Sequence, residues 1–241
     1  IYFAFQIYGD FSGYSDIALG TSKLFGIDLL KNFNFPYFSR DIAEFWRRWH
    51  ISLSSWFRDY LYIPLGGSKG GKWMQVRNTF IIFLVSGFWH GANWTFIAWG
   101  LINAIYFLPL LLLNRNRSNI ADIDFKWNVE GLQTILNILL TFSITTFAWI
   151  FFRAKSISDA LLYIKNMFTN LNFDIQYLGN ERYAPELLAL VGVFVVFEWF
   201  NKYKTEPISG KYENVKLLFC IMAILALGVF SDYKEFIYFQ F

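Results

Sequence analysis

Two histidines are the chain's only imidazoles, and both sit among tryptophans. His90 lies in Phe88-Trp89-His90-Gly91-Ala92-Asn93-Trp94, inside a run from 83 to 99 that is apolar enough to enter a bilayer. An ionisable group there is expensive, so it is a functional-site hypothesis by default. An imidazole titrates at about 6.5 in water, so its neutral form can take a proton from a hydroxyl, a role that contributes about 10²–10⁴-fold in rate. Asn93 and the indoles of Trp89 and Trp94 can donate hydrogen bonds beside it. The competing reading is a structural histidine bonded to a backbone carbonyl where a helix breaks. Gly87 and Gly91 suit either reading, since glycine lets the chain turn or lets a neighbour approach closely.

His50 lies in Phe45-Trp-Arg-Arg-Trp-His50-Ile-Ser-Leu-Ser54. It is equally open to a catalytic role and to one as an interfacial anchor or a support for another side chain. Arg47, Arg48 and Arg58 carry planar forks that suit a phosphate or pyrophosphate, and lipid headgroups would occupy the same forks. Asp10 and Asp16 polarise the first apolar segment, where they would line a polar tunnel or pair with the arginines. The serines at 52, 54 and 55 lack a nucleophile-elbow pattern. Pro64-Leu-Gly-Gly-Ser-Lys-Gly-Gly71 lacks the spacing of a phosphate loop and reads as a surface turn. Two histidines forty residues apart, without supporting ligand spacing, do not make a metal site.

These residues must be held by helices in a membrane. Hydrophobic residues make up 56% of the 241 and aromatic ones 22%, whereas charged ones are only 16%, against roughly a quarter in soluble domains. A net charge of +3, dispersed along the chain, gives no argument for nucleic acid. One cysteine excludes an intrachain disulfide. The expected class is all-α: a polytopic helical membrane protein with interfacial and re-entrant helices, residues 1–241 forming one integral membrane domain.

Apolar segments at 1–25, 132–152, 187–200 and 215–230 have about the length of membrane spans. The stretch 79–113 is too long for one. Its polar interruption predicts a shorter or re-entrant piece, then a helix beginning near Trp94. Gly9-x-x-x-Gly13 suits close helix packing. Residues 41–61 differ. Asp41 with Glu44 resembles a capping box. At 100° per residue, Trp46, Trp49, Leu53, Trp56, Phe57 and Tyr60 share one face, and Arg47, Arg48, Ser55, Arg58 and Asp59 the other, as in a helix lying in the interface. Loop charges are too evenly spread to orient the chain. No internal repeat supports a transporter built from inverted halves.

Five runs resemble the membrane-bound O-acyltransferase superfamily, within it the bacterial alginate O-acetyltransferase branch. They are Asp10-Phe-Ser-Gly-Tyr-Ser-Asp16, Asn32-Phe-Asn-Phe-Pro-Tyr37, the run from Phe45 to Ser54, Phe57-Arg-Asp-Tyr-Leu-Tyr-Ile-Pro-Leu-Gly-Gly67 and Trp89-His-Gly-Ala-Asn-Trp94. Beyond Leu101 the likeness is mostly hydropathy, with Phe147-Ala-Trp-Ile-Phe-Phe-Arg-Ala154, and the tail from Phe236 resembles that branch's C-terminus. The resemblance implies a bundle around a tunnel in a bacterial cytoplasmic membrane. It implies transfer of an acyl group to a hydroxyl, with His90 in the catalytic histidine's position and His50 in that of a second motif-borne histidine. It further implies acyl-CoA, with acetyl-CoA the expected form, as donor, no bound cofactor, an extracytoplasmic polysaccharide acceptor and a separate periplasmic or surface acetyltransferase partner. Peptidoglycan acetylation and teichoic-acid D-alanylation belong to close relatives. Members are longer, and their N-terminal helices are missing from this chain.

Overall fold

Long runs of Leu, Ile and Phe interrupted by few breakers satisfy their backbone groups internally, as a helix does and as lipid demands. The computed structural model describes residues 1–123, 125–170, 184–202, 204, 210 and 212–228, and these contain helices and turns with no strand. Two compact units divide the chain at 177/178. The first carries α1 (Tyr2–Leu24), α2 (Ile42–Arg48), α3 (Ile51–Phe57), α4 (Gly71–His90), α5 (Trp94–Leu112), α6 (Val129–Arg153) and α7 (Ile157–Thr169). The second carries α8 (Ala184–Asn201) and α9 (Glu213–Leu227). The end of the expected 215–230 span and the tail after Phe236 lie outside the described residues.

Helices α5 and α6 are each long and apolar enough to cross a membrane. The 79–113 stretch breaks where expected, with α5 beginning at Trp94. The preceding piece is not short. It extends back to Gly71, and its 20 residues span about 30 Å. Helices α4 and α5 form an antiparallel hairpin whose axes meet through two glycines. A Cβ on Gly87 would fall 2.3 Å from the Phe96 carbonyl oxygen, and one on Gly100 would fall 2.3 Å from that of Phe83. Helix α6 runs antiparallel to α5, with Trp149 stacked on Trp99 at 5.7 Å and Phe152 edge-on to Phe96 at 5.0 Å.

The single amphipathic helix expected over 41–61 is corrected. Trp49 is extended and His50 is left-handed (φ +45°, ψ +58°), so the segment splits into α2, α3 and a π-helical turn over Arg58–Tyr62. The break rotates α3 relative to α2 and dissolves the common face. Trp49 and Phe57 are buried, whereas Trp56 and Tyr60 are 52% and 68% exposed. The Asp41 cap does form, its Oδ1 accepting from the Glu44 amide at 2.6 Å. Gly9 and Gly13 also depart from expectation. A Cβ on either would meet nothing within 4 Å, so among the described residues no helix packs on that face.

Candidate active site

The α4–α5 turn presents His90 with little backbone distortion. Gly91 is extended, and its missing Cβ leaves room for the Phe96 ring, which a methyl group would approach to 2.5 Å. Asn93 then caps α5: its Oδ1 accepts from the Thr95 amide at 3.1 Å, satisfying a donor that a helix start leaves unpaired. Its Nδ2 donates to the Lys155 carbonyl at 3.1 Å, tying the turn to the end of α6. The His90 ring is walled by Trp89, Trp99 and Phe152, with centroids at 5.0, 5.2 and 5.1 Å.

His50 comes to the same place by another route. Residues 32–34 lie alongside 48–52: the Asn34 amide donates to the Arg48 carbonyl, the Ile51 amide to the Asn32 carbonyl, and Ser52 Oγ to Asn32 Oδ1 at 2.9 Å. Those bonds over-determine the left-handed residue, a conformation rare outside glycine and found where surroundings enforce it. The imidazole lies edge-on to Phe11 at 4.7 Å and stacks on Phe33 at 6.4 Å. Trp89, half exposed, neighbours both histidines, 6.4 Å from His50 and 5.0 Å from His90. His50 lies in the turn outside the spanning segments, and burial pushes its imidazole down to about 4. It is therefore neutral near pH 7.

The structure thus gathers His90, His50 and Trp89, with Asn93 on the same turn. It does not gather the arginines. Arg48 pairs with Glu44 at 2.9 Å, and Arg47 donates to the Asn116 and Asn119 carbonyls at 2.8 and 2.9 Å. Both forks face protein groups. Arg58 pairs with its neighbour Asp59 at the surface. Asp10 and Asp16 are exposed on α1, and neither pairs with an arginine among the described residues. A cavity of about 690 Å³ between α1, α6 and α7 is lined by Phe142, Trp149, Arg153 and Tyr163 and includes neither histidine.

Sequence reasoning gave Glu44 only a capping role and named Asn32 and Phe152 only as members of longer runs. Glu44, 1% exposed, binds Arg40 and Arg48 together and accepts the Arg40 amide at 2.7 Å. Asn32 holds the His50 turn, and Phe152 closes the wall around His90. The run Asn32-Phe-Asn-Phe-Pro-Tyr37 was visible as a block, but its pairing partner is non-local. Phe152 stood inside the run from Phe147 to Ala154, but its contact with His90 is non-local.

The membrane-bound O-acyltransferase family model matches residues 1–152. The chain is 46% identical over 186 residues to the peptidoglycan O-acetyltransferase of Helicobacter pylori, covering 77% of this chain and 33% of that protein. It is 36% identical over 209 residues to the protein named probable alginate O-acetylase AlgI in Pseudomonas aeruginosa, covering 86% of this chain and 38% of that protein. Against the teichoic acid D-alanyltransferase of Bacillus subtilis it is 34% identical over 161 residues, 64% of this chain and 40% of the relative. The chain therefore spans about a third of the length of the first two relatives. With the histidine turns inside the matched region, the chain belongs to the membrane-bound O-acyltransferase family.

Proposed function

We propose that the protein of which these residues form part transfers an acyl group, acetyl in the first instance, to hydroxyls of an extracytoplasmic polysaccharide or of peptidoglycan, with His90 as the base. The observation that carries this reading is the placement of His90 on a rigid turn, walled by Trp99 and Phe152 and joined through Trp89 to His50. Neutral His90 takes the hydroxyl proton as the oxygen attacks the acyl carbonyl. A C–O bond forms, the donor's C–S bond breaks, and the proton passes from the imidazolium to the departing thiolate. The donor is proposed as an acyl thioester of the coenzyme A type, and Asp10 and Asp16 as groups lining the acceptor's approach. His50, kept neutral by burial, would position Trp89 and the His90 ring rather than touch substrate. The names of the relatives support both acceptor classes, and D-alanyl transfer is the variant in which the acyl group changes and the machinery does not. The multi-pass protein is placed in a bacterial cytoplasmic membrane, with a periplasmic or surface acetyltransferase as its partner.

Polymer O-acetylation in cells expressing the full-length protein, wild type against His90→Ala at matched membrane abundance, tests it. A loss of about 10²-fold or more is expected of a removed general base. Ester at the wild-type level with His90→Ala would return the residue to a structural role. Acyl-donor consumption by purified protein separates an enzyme from a scaffold that only recruits one.

A further inference from the structure

The cavity between α1, α6 and α7 lies apart from both histidines, and its lining suits an amphiphile. Its volume of about 690 Å³ is that of a small-molecule pocket, largely apolar with a few placed polar groups. Phe142, Phe147 and Ile150 of α6, with Tyr163 and Met167 of α7, form the apolar wall. The polar groups come in two sets. At the end of α6 the Arg153 guanidinium stands over the Phe3 ring, 5.1 Å from its centroid. The first turn of α7 brings Asp159 to the same cavity, and among the described residues no ion pair joins the two. Farther along α6, the Trp149 indole Nε1 and the Thr146 hydroxyl are buried without a hydrogen-bond partner among the described residues. Trp149 is only 4% exposed. Unpaired buried donors are rare in folded proteins, and each calls for an acceptor.

The dimensions select the kind of amphiphile. Helix α6 is long and apolar enough to cross a membrane. From Arg153, its last residue, back to Phe142 near its middle the helix rises about 17 Å. One leaflet contributes about 15 Å of hydrocarbon. The cavity therefore follows the path of a single acyl chain, from a helix end at headgroup level toward the midplane. A guanidinium fork suits a phosphate. The aspartate beside it disfavours a lipid of net negative charge and suits an ammonium. Trp149 and Thr146 lie about one and two turns below Arg153. A glycerophospholipid carries its ester carbonyls just below the phosphate, and these groups accept hydrogen bonds but cannot donate them.

We propose that this cavity binds one zwitterionic glycerophospholipid of the phosphatidylethanolamine type. Its phosphate meets Arg153, its ammonium Asp159, its ester carbonyls Trp149 Nε1 and Thr146 Oγ1, and one acyl chain lies against Phe142, Phe147 and Met167. Trp149 also stacks on Trp99 and stands edge-on to Phe152 at 5.1 Å, so the lipid braces the wall of His90 from behind. The binding itself does not depend on the acyltransferase reading. In the test, the purified full-length protein in detergent is titrated with a phosphatidylethanolamine carrying a diazirine midway along one acyl chain. It is then irradiated and digested, and the labelled peptides are identified. Expected is saturable labelling of peptides covering 142–150 and 160–167. Arg153→Gln should weaken the apparent affinity about tenfold, as loss of a charge-assisted hydrogen bond does, and Arg153→Lys should recover part of that loss. Trp149→Phe keeps a ring and loses the donor, and should weaken it about threefold. A diacylglycerol probe with the same chain should bind the wild type as weakly as the phospholipid binds Arg153→Gln. Labelling spread over all lipid-facing helices and indifferent to Arg153→Gln would mean annular lipid only and overturn the site. Absence of label from the cavity peptides of the wild type would mean that another part of the protein fills the space, and overturns it equally. Displacement of the probe by inorganic phosphate would leave an anion site and no lipid site.

Discussion

The two histidine turns solve one problem in opposite ways. At His90 the chain stops one helix and starts another with the residues best suited to doing so: a glycine that yields to Phe96 and an asparagine that caps α5. Backbone distortion is small, and the position follows from the close fit of α4 on α5. At His50 a non-glycine residue is forced to φ +45°, and the conformation persists because Asn32, Asn34 and the Glu44 cluster hold both flanks. The first turn is local chemistry, while the second depends on groups brought from elsewhere in the chain. A site with both kinds of support should fail differently when each is removed.

The largest effect is expected at the buried ion cluster that precedes the His50 turn. Glu44 is fully buried and neutralises two guanidinium groups, each 2.9 Å away. Glu44→Ala leaves both without their counter-ion, and breaking such a buried pair costs about 3–5 kcal/mol. Thermal unfolding of the full-length protein in detergent should fall sharply, with the α2–α3 segment the first to become protease-sensitive. An unchanged melting temperature would mean that the His50 turn does not depend on this cluster.

How far each turn could be read from sequence follows from the same contrast. The α4–α5 break was legible to the residue, because Gly91 and Asn93 are breaker and cap types whose meaning is local. The helix α5 and the span of α6 were legible from hydropathy. The α2–α3 break was not, because no glycine or proline marks it and the pattern of Trp46, Trp49 and Leu53 favours one continuous helix. What wins is long-range pairing with residues 32–34, which no periodicity reveals. The arginines teach the same lesson. Their phosphate-binding chemistry is real, but Arg47 is spent on carbonyls 69 and 72 residues away. The spacing of Gly9 and Gly13 was equally plain, yet nothing among the described residues packs there, so a motif names a capacity and not its use.

The close fit at His90 can be attacked directly. Gly87→Ala would put a methyl group 2.3 Å from the Phe96 carbonyl oxygen, a backbone atom that cannot rotate away. Overpacking of this kind costs up to about 3 kcal/mol. Prising α4 from α5 also moves the His90 ring, so transfer activity should drop further than the melting temperature alone implies. Gly9→Ala is the control, since among the described residues its Cβ would meet nothing. If the two variants melt together, the hairpin fit is not what positions His90.

The His50 turn carries a pH signature. Its folded pKa of about 4 lies below the value of about 6.5 expected unfolded, so the unfolded chain binds the proton more tightly. The stability tied to neutral His50 is complete above pH 6.5 and drains away as pH falls toward 4. After screening at its partly exposed edge, about 2 kcal/mol is at stake. Measured against pH, the melting temperature of the wild type should therefore fall relative to that of His50→Gln as pH drops from about 6.5 toward 4. Parallel curves would show that His50 ionises as freely folded as unfolded.

The smallest effect separates the two jobs of Asn93. Its Oδ1 caps α5, and its Nδ2 holds the Lys155 carbonyl at the end of α6. Asn93→Ala removes both bonds and should cost about 1 kcal/mol, the usual worth of a cap. Asn93→Asp keeps the cap but puts an anion where a donor stood, so it repels the Lys155 carbonyl. If the turn's role is to hold His90 against Phe152 on α6, then Asn93→Asp should leave the melting temperature near that of wild type and still reduce kcat. Asn93→Ala should reduce both. A kcat that stays with the wild type in Asn93→Asp would make Asn93 a cap and nothing more. The His90 ring would then owe its place to the aromatic wall and the glycine contacts alone.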